Sequence, residues 1–383
     1  MPVRSKRRGR QARARRRASQ SGSGYALTVF RSPAVSRFPL QVNGETRDGG
    51  VSGLKLILAR AEGEVIETIG GVPAGASGSP VYIGNQLLGA ISTLFYPDPK
   101  LVGITPREAM LRLADEPLLP SDIAPVGFQS SLQPPVTAIG ISSGRILRQI
   151  SQRYGSAIVG GEARQPVTVH ELPRPGSAIG AALLLGDIRL GFVGTTTLVD
   201  GQMLFAFGHP LLYAGPTSMP LTEAIILDVA RGSFPNKVAD LGAIIGTVIQ
   251  DRAAGILAYL GQMPDLVEMK FTIKDEDRGQ TEIVQVQATR LNSELPFLVL
   301  IATLESMQRA MNRVGPGTAI WEWVITLQGA AEPMRITEIR YDPNIGFTLA
   351  LQIETTVREL LENGQVIEAI ELRAAVTARR TSN

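Results

Sequence analysis

Two short segments hold the residue types that acyl-transfer chemistry needs. The first is GGVPAGASGSPVY, residues 70–82, in which Ser77 stands between Gly75 and Gly78. Glycine around a serine lets a tight turn adopt backbone angles closed to other residues, exposing the hydroxyl and aiming successive N–H groups at one point. Ser77 is therefore the candidate nucleophile, and the amides of Gly75 and Ser77 are the candidate oxyanion donors. The second segment is LVDGQMLFAFGHPLLYAGP, residues 198–216, where His209 sits between Gly208 and Pro210 at the end of a strand-like run. A general base must have a pKa near neutrality and come within hydrogen-bond reach of its nucleophile. The chain has two histidines, and the other, His170, lies in the proline-rich stretch TVHELPRP, which reads as surface. His209 is the better base; a histidine capping its own turn is the plainer reading of the same residue.

Other chemistries are poorly provided for. The absence of cysteine excludes disulfides, thiolate metal sites and a cysteine nucleophile. Two histidines cannot build a zinc centre resting mainly on imidazoles. The run Asp275-Glu276-Asp277 reads as a charged turn rather than a metal site. A Ser–Lys dyad would draw on Lys55, Lys100 or Lys237, but no Ser-x-x-Lys pattern includes Ser77. There is no phosphate-binding glycine loop and no His-Glu-x-x-His, so no cofactor is expected.

The elements that must position these residues are mostly strands. At 383 residues the chain exceeds one ordinary domain, and 40 glycines, 25 prolines and few aromatics favour a turn-rich β architecture. The runs YALTVF (25–30), FPLQVNGET (38–46) and LKLILARA (54–61) read as strands, and VYIGNQLLGAIST (81–93) as a hairpin turning at Gly84-Asn85. TPREAMLRLAD (105–115) predicts a short helix with Thr105 as its N-cap. A second block predicts another antiparallel sheet with a turn at residues 199–202, a helix over 295–314, strands at 321–327 and at IGFTLALQI (345–353), and a helical TTVRELLEN. The expected organisation is a basic tail at 1–23, a β domain at 24–115 carrying the serine, a Pro-rich connector at 116–178, and a β-rich domain at 179–383 carrying the histidine.

Charge is concentrated at the start. Residues 1–18 hold nine basic and no acidic side chains, which leaves the remainder six net negative. Such an arm would bind an anionic partner, nucleic acid or a lipid surface, through phosphate neutralisation. No signal peptide is read here, and the longest apolar run, Leu295 to Leu304, is too short to span a bilayer.

Together, GGVPAGASGSPVYIGNQLLGAIST with YPDPKLVGITPREAML resembles the end of the SpoIVB peptidase domain, and GTTTLVDGQMLFAFGH is similar to that family's histidine segment. A weaker similarity lies in LGAIIGTVIQDRAAGILAYLG, so the resemblance touches residues 50–115 and 179–262. The family comprises bacterial serine peptidases of the chymotrypsin-like, two-barrel type, known from sporulation signalling. The resemblance implies a mainly β, two-barrel fold with a few peripheral helices, a protein or peptide substrate, and a location at the cell envelope or outside it. It implies Ser77 as nucleophile, His209 as base and Glu62, in ARAEGEVIE, as the acid, with Asp200 and Asp228 as alternatives. Serine precedes histidine here, the reverse of the family order, and neither a membrane anchor nor a PDZ module is recognisable. A triad is defined by geometry rather than chain order, so a permuted peptidase can still work. The rival expectation is a non-catalytic descendant of the same fold that binds a protein partner.

Overall fold

The computed structural model describes residues 22–46, 54–95, 97–116, 135–155, 157–159 and 172–378. The basic arm, His170 and much of the Pro-rich stretch lie outside them.

Six strands form a closed antiparallel barrel: β1 (Gly22–Arg31), β2 (Ala34–Glu45), β3 (Ile57–Ala61), β4 (Pro80–Ile83), β5 (Gln86–Phe95) and β6 (Asp98–Pro106). Their order is β1-β2-β3-β6-β5-β4, and pairing of Tyr25 with Tyr82 and Ala26 with Val81 closes the ring. Period-two alternation fills it: Phe38, Leu40 and Val42 of β2 point inward against Ile57, Val102 and Ile104. A short helix, α1 (Glu64–Ile69), follows β3 and leads into the serine turn. The helix expected at 105–115 is α2 (Arg107–Leu111), continued by a 3-10 turn to Ala114. Thr105 does not cap it. Pro106 is the N-cap, and the Thr105 hydroxyl points instead at the Gly208 carbonyl, 2.6 Å away.

From the proline-rich region the structure describes β7 (Val136–Ile139), α3 (Gly144–Tyr154) and β8 (Ala157–Val159), with β8 parallel to β7. The second block begins with β9 (Ala178–Gly186), β10 (Arg189–Asp200), β11 (Met203–Ala206), β12 (Gly215–Ala230), β13 (Asn236–Arg252) and β14 (Gly255–Leu260). It continues through β15 (Leu266–Asp275), β16 (Gln280–Thr289), α4 (Leu295–Met311), β17 (Gly317–Leu327), β18 (Met334–Asp342), α5 (Ile345–Glu362) and β19 (Ile367–Thr377). These strands make one sheet of thirteen, β18-β17-β19-β15-β16-β9-β12-β13-β14-β11-β10-β7-β8. The further pairing of β9 with β10 joins β9-β12-β13-β14-β11-β10 into a second ring of six.

The segment IGFTLALQI is not a strand. It opens α5, because its buried residues Ile345, Leu349, Ala350, Ile353 and Val357 recur at helical rather than alternating spacing and pack on α4 and the sheet. Two apolar clusters cross between the rings. One joins Val29 of β1 to Ala182, Val193, Ala224 and Leu241, and the other joins Ala90 and Met110 to Phe205 and Leu257.

Candidate functional site

The serine turn, residues 74–79, sits where the two strand rings meet, and almost all its backbone groups are committed. The Ala74 carbonyl accepts from Lys237 N at 3.1 Å, the Gly75 carbonyl from Thr195 Oγ1 at 3.1 Å, and the Ala76 carbonyl from Ser79 N at 2.9 Å. The Ser77 carbonyl accepts from Thr195 N at 2.8 Å and the Gly78 carbonyl from Thr197 Oγ1 at 2.7 Å. Ala74, Ala76, Gly78 and Ser79 all donate their N–H groups, whereas those of Gly75 and Ser77 have no partner among the described residues. A trans peptide points its C=O and N–H in opposite directions. Anchoring the Ala74 and Ala76 carbonyls therefore turns the two uncommitted N–H groups away from the anchors, free to take a ligand.

Two glycines are needed for this shape. Gly75 has φ 90° and Gly78 φ 93°, in the left-handed half of backbone space. A Cβ at Gly75 would lie 3.0 Å from Lys237 Cδ, and one at Gly78 would lie 1.9 Å from the Thr195 carbonyl oxygen and 2.5 Å from Phe207 N. Ser77 retains 5% exposure, and its hydroxyl has no hydrogen bond among the described residues. Ser79 is fully buried with an unpartnered hydroxyl, so Ser77 is the serine that a reagent can reach.

His209 follows β11 in a neighbouring turn, after Phe207 (φ 63°) and Gly208 (φ 70°). Both turns abut Ile91 of β5: its carbonyl accepts from Gly78 N at 2.7 Å, and a Cβ on Gly208 would lie 3.4 Å from the same oxygen. His209 is 6% exposed, and its ring stands edge-on to Phe207. Its Nδ1 lies 2.8 Å from the Pro210 carbonyl, while Nε2 is buried without a partner. Burial lowers its pKa to about 4, against a smaller upward pull from the Pro210 carbonyl. A carbonyl can only accept, so Nδ1 carries the proton and Nε2 presents its lone pair. That is the tautomer a general base needs.

No carboxylate reaches this ring among the described residues. Glu62 is exposed at the end of β3, with its N–H on the Pro39 carbonyl. Asp200 is exposed at the β10–β11 turn, and Asp228 is exposed on β12 with its carboxylate on Val229 N. The acid that does shape this region is Asp251, fully buried at the end of β13. Its oxygens accept from Leu211 N and Leu212 N, both at 2.7 Å, and from Ala214 N at 3.1 Å, pinning the loop that follows His209. Burial pushes its pKa up, and these backbone amides pull against that. Lys237 is the other residue the motifs do not pick out as part of the site. It is buried under Gly75, with its amine on Thr28 Oγ1 at 2.8 Å and Thr195 Oγ1 at 3.4 Å. Its signal in the sequence is register: Lys237, Ala239 and Leu241 share the inward face of β13.

Among the described residues no group of acidic or histidine side chains could hold a metal ion. None of their helices is long and apolar enough to cross a membrane. Comparison with protein-family models, curated proteins and solved structures gives no match.

Proposed function

We propose that this chain is a serine endopeptidase of the SpoIVB type in permuted order, its two six-stranded rings serving as the two barrels of a chymotrypsin-like arrangement. The observation that carries the reading is the pair of uncommitted N–H groups at Gly75 and Ser77, in a turn whose every other backbone group is bound. In this mechanism the Ser77 hydroxyl attacks the scissile carbonyl carbon and its proton passes to His209 Nε2. The carbonyl oxygen takes the negative charge and accepts from the Gly75 and Ser77 amides. Imidazolium then protonates the leaving amine, and water, deprotonated by the same ring, hydrolyses the acyl ester. The ring must swing or the substrate must draw the turns together, because no Ser77–His209 hydrogen bond stands in the resting site.

The test is covalent labelling by a fluorophosphonate, with the adduct located by mass spectrometry. We expect an adduct on Ser77, lost in Ser77→Ala and His209→Ala while both variants keep the wild-type circular dichroism. Labelling that persists in Ser77→Ala, or that falls on Ser79, sinks the mechanism. One observation favours a second reading, a non-catalytic module that binds a protein partner: the imidazole rests on a carbonyl and not on a carboxylate. That reading gives no adduct in the folded wild type and unchanged partner affinity in Ser77→Ala.

A further inference from the structure

Lys237 is fully buried, and burial alone accounts for the fall of its pKa to about 7; no charged neighbour opposes it. An amine without a counter-charge is costly to bury, and a methionine of similar length would fill the same space without that cost. The geometry around it shows what it does instead. Its stem lies against Gly75, its backbone N–H holds the Ala74 carbonyl, and its amine donates to Thr28 Oγ1 at 2.8 Å. Thr28 Oγ1 is 3.3 Å from Thr195 Oγ1, which donates to the Gly75 carbonyl at 3.1 Å. An ammonium donates only, so each hydroxyl in this series must pass its own proton onward, and the series ends on Gly75 O.

We propose that Lys237 is a positioning residue for the serine turn: its amine, acting through Thr28 and Thr195, holds the peptide between Gly75 and Ala76 from behind and so fixes the orientation of the Gly75 and Ser77 amides on either side of it. This rests on the peptidase reading for its effect on rate, but not for its effect on the turn. Protonated Lys237 enforces one direction of donation. Once neutral, it offers a lone pair that competes with Gly75 O for a threonine proton, so the turn loosens as the amine deprotonates, around neutral pH. The groups facing the amine from β1 and β10 are these two hydroxyls; Asp228 and Arg231, at the same end of the β12–β13 hairpin as Lys237, are exposed.

The experiment compares wild type, Lys237→Met, Thr195→Val and Thr195→Ser by three readouts: thermal stability, the rate of fluorophosphonate labelling, and the amide signals of Gly75 and Ser77. Carbonyl-13C alanine with 15N glycine and serine reduces the spectrum to five amides that follow an alanine, those of Ser19, Gly75, Ser77, Gly215 and Gly255, and the Gly75→Ala and Ser77→Ala spectra assign the two of interest. We expect Lys237→Met to melt higher than wild type yet label on the order of 10²-fold more slowly, the scale of a lost oxyanion donor. Both amide signals should shift in Lys237→Met and Thr195→Val and return in Thr195→Ser. In wild type they should titrate near neutral pH, and in Lys237→Met they should not. Wild-type amide signals and rates in a folded Lys237→Met or Thr195→Val overturn the proposal. If wild type never labels at Ser77, the peptidase reading falls and the amide signals alone decide the role of Lys237.

Discussion

At His209 the Pro210 carbonyl does part of what a triad carboxylate does: it fixes the tautomer and the ring plane, but it offers no negative charge to an imidazolium. With the pKa drawn down to about 4 by burial, the ring is neutral across the physiological range, and its basicity falls with its pKa. The acidic limb of the labelling rate should therefore fall near pH 4, and a limb at the ordinary histidine value, near 6.5, would mean that the ring is solvated. The same shift couples to stability. Between about pH 4 and 6.5 the unfolded chain holds a proton on His209 that the folded chain lacks, so stability should drop as pH falls through that window. Lys237 has the same sign at higher pH: stability should rise from about pH 7 towards 10.5 as the unfolded lysine gives up its proton. Urea melts of His209→Ala and Lys237→Met should each flatten one of these slopes. The turns that hold Ser77 and His209 were legible in the sequence because turn chemistry is local. Asp251 was not, because it acts on amides 37 to 40 residues before it, and a strand-end aspartate carries no sign of that.

At the scale of elements, the serine turn is a wedge between β10 and β11, and Gly78 is where the fit is closest. A methyl group there would overlap the Thr195 carbonyl oxygen, which lies in a strand and cannot yield. Gly78→Ala should cost at least about 4 kcal/mol in chemical denaturation, at the extreme of single substitutions, and abolish labelling. Gly84, at the tip of the β4–β5 hairpin, also has positive φ, 58°, but opens on empty space. Gly84→Ala should cost only the backbone term, about 1 kcal/mol, with labelling unchanged. Equal costs would mean that conformation alone, not close approach, explains Gly78. The two hairpin turns, at Gly84-Asn85 and Gly201-Gln202, could be read directly, since loop length and glycine specify them. The opening of α5 could not. A nine-residue apolar run fits a buried strand or a helix equally, and what decides it is the face presented to α4, a tertiary fact.

At the scale of the molecule, β-richness followed from composition and turn residues, whereas the joining of thirteen strands into one sheet did not, since parallel contacts such as β15–β19 link segments about a hundred residues apart. The site's place at the junction of two rings makes a demand on folding. The serine turn is carried by one ring, while the anchors Thr195 and Lys237 and the turn of His209 come from the other. The apolar clusters around Val29 and Ala90 are likewise shared. If each ring were stable alone, the site would be lost by parting of the rings before either melted. Because the shared clusters are buried, we expect instead one cooperative transition. The chain reports on itself here: both tryptophans, Trp321 and Trp323, lie on β17, outside the barrel of β1 to β6, whereas Tyr25 and Tyr82 are stacked within that barrel, and the part of the tyrosine dichroism that Tyr25→Phe removes reports on it. Urea titrations followed by tryptophan fluorescence, by tyrosine dichroism and by Ser77 labelling should share one midpoint. A labelling midpoint well below a common fluorescence and dichroism midpoint would show that the rings part first, and that the site is assembled by a weak interface between two independent rings.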